Sequence, residues 1–185
     1  EGDEYLSSPM DRRPKFHLYQ PNIALLSGIA WDHINVFPTF EAYLETFRKF
    51  ILSIQPDGYL IYNSDDEELV KMINHLPLQI HLIPYKAFEF IVRNDDNFLL
   101  YQHNEYPITI FGSHNFANLK AAFEVGKLVG IAEDDILINF QSFQGAAKRL
   151  EKIKEDKAIQ QTIFRDFAHA PSKVSATVKA VRERY

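Results

Sequence analysis

The sequence predicts a mixed α/β fold, and three observations carry that prediction. A short apolar run between turn signals is followed by an amphipathic helical pattern and a second apolar run. Four short strand-like segments, separated by polar turns, crowd the middle of the chain. Two helical patterns, a charged stretch, another strand and a last helix come after them.

The elements follow in order. PNIALLSGIAW (Pro21 to Trp31) reads as a buried strand. In FEAYLETFRKFILSI, Phe40, Tyr43, Leu44, Phe47, Phe50, Ile51 and Ile54 share the spacing of one helix face. Pro56-Asp57-Gly58 is a turn, and GYLIYN behind it is a strand. Asp65 to His75 predicts a short helix with acidic residues in its first turn, where they favour the helix dipole. QIHLIPY, AFEFIVRN, NFLLYQHN and YPITIFG together suggest an antiparallel meander. Helices are expected from about His114 to Val129, with Gly130 at the C′ position, and from Glu133 to Phe140. KRLEKIKEDKA (Lys148 to Ala158) fits a solvated charged face and also a domain boundary. Gln160 to Ala168 reads as a strand, and Ser172 to Tyr185 as a helix entered through Pro171.

Composition narrows the function. The 185 residues are 46% hydrophobic and 24% charged, as in an ordinary globular protein. A net charge of −5 without a basic block offers no electrostatic footprint for nucleic acid. The absence of cysteine excludes disulfides, thiolate metal sites and a cysteine nucleophile, and it fits a reducing cytoplasm. The apolar run Ile23 to Trp31 is too short to span a bilayer, so no membrane role is expected. Nothing matches a P-loop, a zinc-protease helix, a nucleophile elbow or a dinucleotide fingerprint. The chain opens at Glu1 without Met and closes inside a helical pattern at Tyr185, which reads as an internal piece of a longer protein.

Four groups of residues could carry chemistry. Glu1, Asp3 and Glu4, with Asp32-His33 after the first strand, offer carboxylates and an imidazole to a hard cation. The same aspartate could merely cap a turn and the histidine lie on the surface. In GSHNFANLKAAFEVGKLVG, Ser113 can cap the helix, which leaves His114, Asn115 and Asn118 over. Asn115 and Asn118 share a face, and a carboxamide matches the N6/N7 edge of adenine. Extra capping groups are the simpler account of them. Arg149, in FQGAAKRLE, could stack on a base or pair with phosphate, or lie on the surface. Asp166 and His169, in RDFAHAP, flank the end of a strand, where they could meet a ribose or phosphate or serve only the turn.

The order of these signals is more specific than any one of them. EGDEY, a strand ending in WDH, GSHNFANLKAA with the GIAEDDI helix, FQGAAKRLE and DFAHAP together resemble the Mur ligases. These are ATP-dependent amide ligases of bacterial peptidoglycan synthesis and recycling, and the resemblance spans essentially the whole chain. It implies an α/β fold: the back part of a central ATPase-type domain (1–154), without its P-loop, then the start of a Rossmann-like C-terminal domain (155–185). The implied cofactors are ATP and Mg²⁺. The implied partners are UDP-N-acetylmuramate and an amino acid or peptide amine, in the cytoplasm. EGDEY and DRRPKFHLY look most like the branch that attaches L-Ala-γ-D-Glu-meso-diaminopimelate, and next like the branch that attaches L-alanine.

Carried over by residue, the resemblance gives Glu1 and His33 to Mg²⁺ and catalysis. It gives His114, Asn115 and Asn118 to adenine, Arg149 to the nucleotide across a domain junction, and Asp166 and His169 to the ATP ribose or phosphates. Some relatives carry a carbamylated lysine on the helix after the DH histidine. Arg48 stands at the matching count with Lys49 beside it, and neither is assigned that role. Ala170 stands where many relatives have a second histidine, a mild departure. A protein of another class, a non-catalytic nucleotide binder on a ligase-like fold, fits the same motifs.

Overall fold

A computed structural model describes residues 2–94, 96–156 and 158–184. The chain forms two compact units, 1–86 and 87–185.

The first unit is a βαβαβ arrangement. Strands β1 (Ile23–Leu26), β2 (Tyr59–Asn63) and β3 (His81–Tyr85) form a parallel sheet in the order β1-β2-β3. Helices α1 (Phe40–Leu52) and α2 (Glu67–Asn74) make the two crossovers. Parallel neighbours need such connections, because a tight turn can join only antiparallel strands. Thr39 caps α1 by accepting the Ala42 N–H, and Asp66 caps α2 by accepting the Leu69 N–H. The apolar face predicted for α1 is the buried one, with Tyr43, Phe47, Phe50 and Ile51 packed against Leu60, Leu69 and Ile29 of the same core. A 3₁₀ turn at Lys15–Leu18 adds Phe16 to it.

QIHLIPY departs from the sequence expectation. It supplies β3, which pairs in parallel with β2 from Tyr59↔His81 to Asn63↔Tyr85, and it takes no part in the meander. The helix just before it turns the chain back, so its partner must be a parallel strand.

In the second unit, β4 (Phe90–Arg93), β5 (Asp96–Tyr101) and β6 (Asn104–Ile108) form the expected antiparallel meander. Gln102 and His103, at φ 46° and 66°, make the two-residue turn between β5 and β6. Two left-handed residues in succession suit the right-handed twist of a hairpin. Helices α3 (Ser113–Leu128) and α4 (Glu133–Ser142) close over this sheet. Leu99, Phe116, Phe123 and Leu137 are fully buried between them, and Phe90 stacks on Phe116 with ring centres 4.2 Å apart. Gly130 follows α3 at φ 85°, as the C′ position requires.

The charged stretch after α4 is a strand. β7 (Glu151–Asp156) pairs antiparallel with β8 (Gln161–Arg165), and α5 (Pro171–Arg184) follows. β7 is solvated all the same, with Lys152 to Glu155 exposed. Residues 154 and 155 both lie within it, so the expected change of domain falls inside a paired strand. Phe111, Leu150 and Ala180 form a small core that joins the start of α3 to the hairpin and α5. Among the described residues, no helix is long and apolar enough to cross a membrane.

Candidate functional site

The first group of candidate residues lies at the carboxyl end of β1. Here the chain leaves the sheet and is held by Asp66, whose Oδ2 accepts the Ile29 N–H at 2.7 Å. The Trp31 indole N–H donates to the Phe37 carbonyl at 3.1 Å and closes the next loop. His33 stands between these anchors with φ 54°, a left-handed backbone tolerated by few side chains but more often by histidine than most. Its N–H donates to Asp32 Oδ1 at 2.7 Å, and its carbonyl accepts from Val36 and Phe37. The Asp32 turn chemistry and the exposure of His33 to a ligand are therefore compatible.

Glu4 reaches this imidazole from the N-terminal segment. Its Oε1 lies 3.6 Å from His33 Nε2, and Asp32 Oδ2 lies 3.9 Å from the same nitrogen. Tyr5 packs its ring at 4.9 Å from the imidazole. The Tyr43 hydroxyl donates to Glu4 Oε1 at 3.3 Å. Burial, then the Glu4 carboxylate, pushes the Tyr43 phenol well above its usual range, so it stays a protonated donor. Glu4 Oε1 and His33 Nε2, 3.6 Å apart, have a spacing that a hard divalent cation with ligands at roughly 2.1 Å can bridge. Glu1, the expected ligand, lies outside the described residues, and Asp3 is paired with Lys15 at 3.0 Å. Glu4 belongs to the carboxylate group that the sequence offered, and Tyr43 is the residue it did not single out. Nothing in a linear pattern joins positions 4, 33 and 43.

The second group is built on the start of α3. Ser113 does not cap this helix: Gly112 occupies the N-cap position, and no side chain takes up the cap bond. Gly112 has φ 86°, and a Cβ there would stand 2.5 Å from the Ala180 Cβ and 3.0 Å from the His114 ring. Only glycine allows both the conformation and the approach of α5. Within the first turn, the Asn115 side-chain amide donates to the Phe111 carbonyl at 2.8 Å, which spends one of its two N–H groups on fixing the turn. Asn118, one turn further along, is exposed, and among the described residues its carboxamide makes no hydrogen bond.

His114 is half-buried, and burial depresses its pKa below the ordinary value of 6.5. Asp166 and Glu183 oppose that shift, which puts both carboxylates within electrostatic reach of the imidazole. Asp166 is itself held by a hydrogen bond from the Thr177 hydroxyl of α5. The loop after β8 and α5 thus lie near the start of α3. Arg149 sets its guanidinium 5.7 Å from the centre of the Phe167 ring, between Lys148 and Leu150, both left-handed at φ 61° and 47°. His169 stacks edge-on against Phe167, and its Nδ1 lies 3.0 Å from the Phe167 carbonyl. Arg149 and His169 therefore meet on one aromatic ring.

Comparison with known proteins places the fold. Residues 6–126 match the Mur ligase middle domain. The UDP-N-acetylmuramate–L-alanine ligase of Caldicellulosiruptor bescii is 29% identical over 99% of this chain and 41% of its own length. The UDP-N-acetylmuramate–L-alanyl-γ-D-glutamyl-meso-2,6-diaminoheptandioate ligase of Haemophilus influenzae is 28% identical over 100% of this chain and 42% of its own. Among solved structures, the Thermotoga maritima MurF ligase in complex with ADP superposes with a TM-score of 0.72 at 15% identity, over 91% of this chain and 40% of that one. The chain thus spans about two fifths of the length of the relatives it matches. With its middle-domain match covering most of its length, the chain belongs to the Mur ligase family.

Proposed function

We propose that the protein carrying this chain is an ATP-dependent ligase of the cytoplasm that joins the carboxylate of UDP-N-acetylmuramate to an amine. The observation that carries this reading is the start of α3, where His114, Asn115 and the uncommitted Asn118 meet the electrostatic reach of Asp166. A helix N-terminus favours anionic ligands, and a free carboxamide can pair with an adenine edge. In this reading Asn118 reads the base, Asn115 holds the turn, and Asp166 with Arg149 and His169 meets the ribose and phosphates. Residues 1–154 belong to the central domain and 155–185 open the C-terminal one, so both sides contribute to one nucleotide site.

The chemistry follows from that placement. The γ-phosphoryl group of ATP passes to the lactyl carboxylate and makes an acyl phosphate. The amine attacks its carbonyl, phosphate leaves, and an amide remains. Phosphoryl transfer of this kind depends on positioning and charge stabilisation more than on covalent chemistry by the protein. A Mg²⁺ held by Glu4 and His33, with Glu1 as a further ligand, would neutralise charge on the transferring group.

We take the amine to be L-Ala-γ-D-Glu-meso-diaminopimelate, on the strength of EGDEY and DRRPKFHLY. The Caldicellulosiruptor bescii relative favours a second reading, L-alanine.

The nucleotide assignment is tested with Asn118→Ala in the full-length protein. Loss of a bidentate base contact costs about 1–3 kcal/mol. The KM for ATP should therefore rise roughly 10-fold or more, with the KM for UDP-N-acetylmuramate little changed. Equal rises in both would remove Asn118 from the adenine site.

A further inference from the structure

We propose that Tyr43 is a positioning residue, holding the Glu4 carboxylate against His33 so that a divalent cation meets both. This rests on the reading of Glu4 and His33 as cation ligands.

Little else fixes Glu4. It sits in a segment without regular structure, tied down through its neighbours. Tyr5 N–H donates to Asp3 Oδ1, Lys15 N–H to the Tyr5 carbonyl, and Phe16 N–H to the Asp3 carbonyl. These bonds set the backbone and leave the Glu4 side chain free to turn. A carboxylate on two methylenes loses rotamer entropy when a ligand fixes it. A partner that fixes it beforehand removes that cost from binding.

Tyr43 is built to be that partner. It lies on the buried face of α1 and is only 2% exposed. Phe37 and Phe47 grip its ring edge-on, with centres 5.3 and 5.0 Å away. A ring so packed has one orientation, and its hydroxyl reaches Glu4 Oε1 at 3.3 Å. That same oxygen is the one 3.6 Å from His33 Nε2. The donor and the imidazole therefore select one carboxylate oxygen and aim it. Partners that orient a metal-ligating carboxylate typically matter about 10- to 100-fold in metal affinity.

The test titrates Mn²⁺ into the purified full-length protein and reads the free ion by electron paramagnetic resonance. Four variants are compared: Tyr43→Phe, Glu4→Gln, His33→Ala and Phe50→Leu. Tyr43→Phe keeps the packed ring and removes only the hydroxyl. It should weaken Mn²⁺ binding about 10-fold, while its thermal midpoint stays near that of the parent. Phe50→Leu perturbs the core side of the same helix without touching Glu4, and its Mn²⁺ affinity should be unchanged. Parent-like affinity in Tyr43→Phe, with weakened binding in Glu4→Gln, would overturn the positioning role and leave the cation site standing. Equal weakening in Tyr43→Phe and Phe50→Leu would reduce the effect to a general loosening of α1 and overturn it too. If neither Glu4→Gln nor His33→Ala differs from the parent, the cation reading itself fails, and the inference with it.

Discussion

Gly112→Ala should destabilise the second unit by on the order of 2–4 kcal/mol, seen as a fall of roughly 10 °C in thermal midpoint. Two costs add. At φ 86° an L-residue pays about 1–2 kcal/mol for its Cβ against its own backbone. The new methyl would also stand 2.5 Å from the Ala180 Cβ, closer than two carbons can sit. Neither partner is a flexible chain end that could swing aside. Ala180 is 2% exposed in the small core with Phe111 and Leu150, so α5 itself must move. That movement draws Asp166 away with the Thr177 that holds it. The double variant Gly112→Ala/Ala180→Gly separates the two costs. It should be less destabilised than the sum of the single variants, because the collision is relieved while the backbone strain stays. An unchanged midpoint in Gly112→Ala would mean that α5 does not press on the start of α3.

Asp66→Ala has an effect of similar size, in the first unit. One carboxylate serves two elements here: Oδ1 caps α2 through the Leu69 N–H at 3.0 Å, and Oδ2 takes the Ile29 N–H at 2.7 Å. Losing the cap costs about 1 kcal/mol. Leaving the N–H of Ile29 unsatisfied costs about 1–3 kcal/mol more, because that residue is only 1% exposed. The sum is about 2–4 kcal/mol by chemical denaturation. Asp66→Asn keeps one acceptor oxygen and should fall between the parent and Asp66→Ala. Since Ile29 leads into Asp32 and His33, the stability loss should come with a looser cation site. Equal stability of Asp66→Ala and the parent would show that the loop after β1 is held by other contacts.

Much of the fold was legible, because its periodicities are strong. The apolar face of α1, the acidic first turn of α2 and the meander of β4 to β6 each follow from local pattern. β3 was harder. As a string, QIHLIPY is a short apolar strand like its successors, and only the preceding crossover makes it parallel. β7 was hidden for another reason: it is exposed from Lys152 to Glu155 and so shows no alternation, and KRLEKIKEDKA has the composition of a charged coil.

The candidate site was legible only through motif order. His114, Asn115 and Asn118 suit capping as well as base contact, residue by residue. Ser113 looked like a sufficient cap, yet the tight approach of Ala180 reserves the cap position for Gly112. Glu4 was one of several N-terminal carboxylates offered without distinction, and Tyr43 had no signal, since its bond to Glu4 joins positions 39 residues apart.

The most direct test of the ligase reading follows ADP release by the full-length protein. ATP, Mg²⁺ and UDP-N-acetylmuramate are supplied, and L-Ala-γ-D-Glu-meso-diaminopimelate and L-alanine are offered separately. Release that depends on the tripeptide is the predicted result, and release that depends on L-alanine instead would move the protein to the other branch. No release with either amine would contradict the account and favour a nucleotide-binding protein that has kept the fold without the reaction.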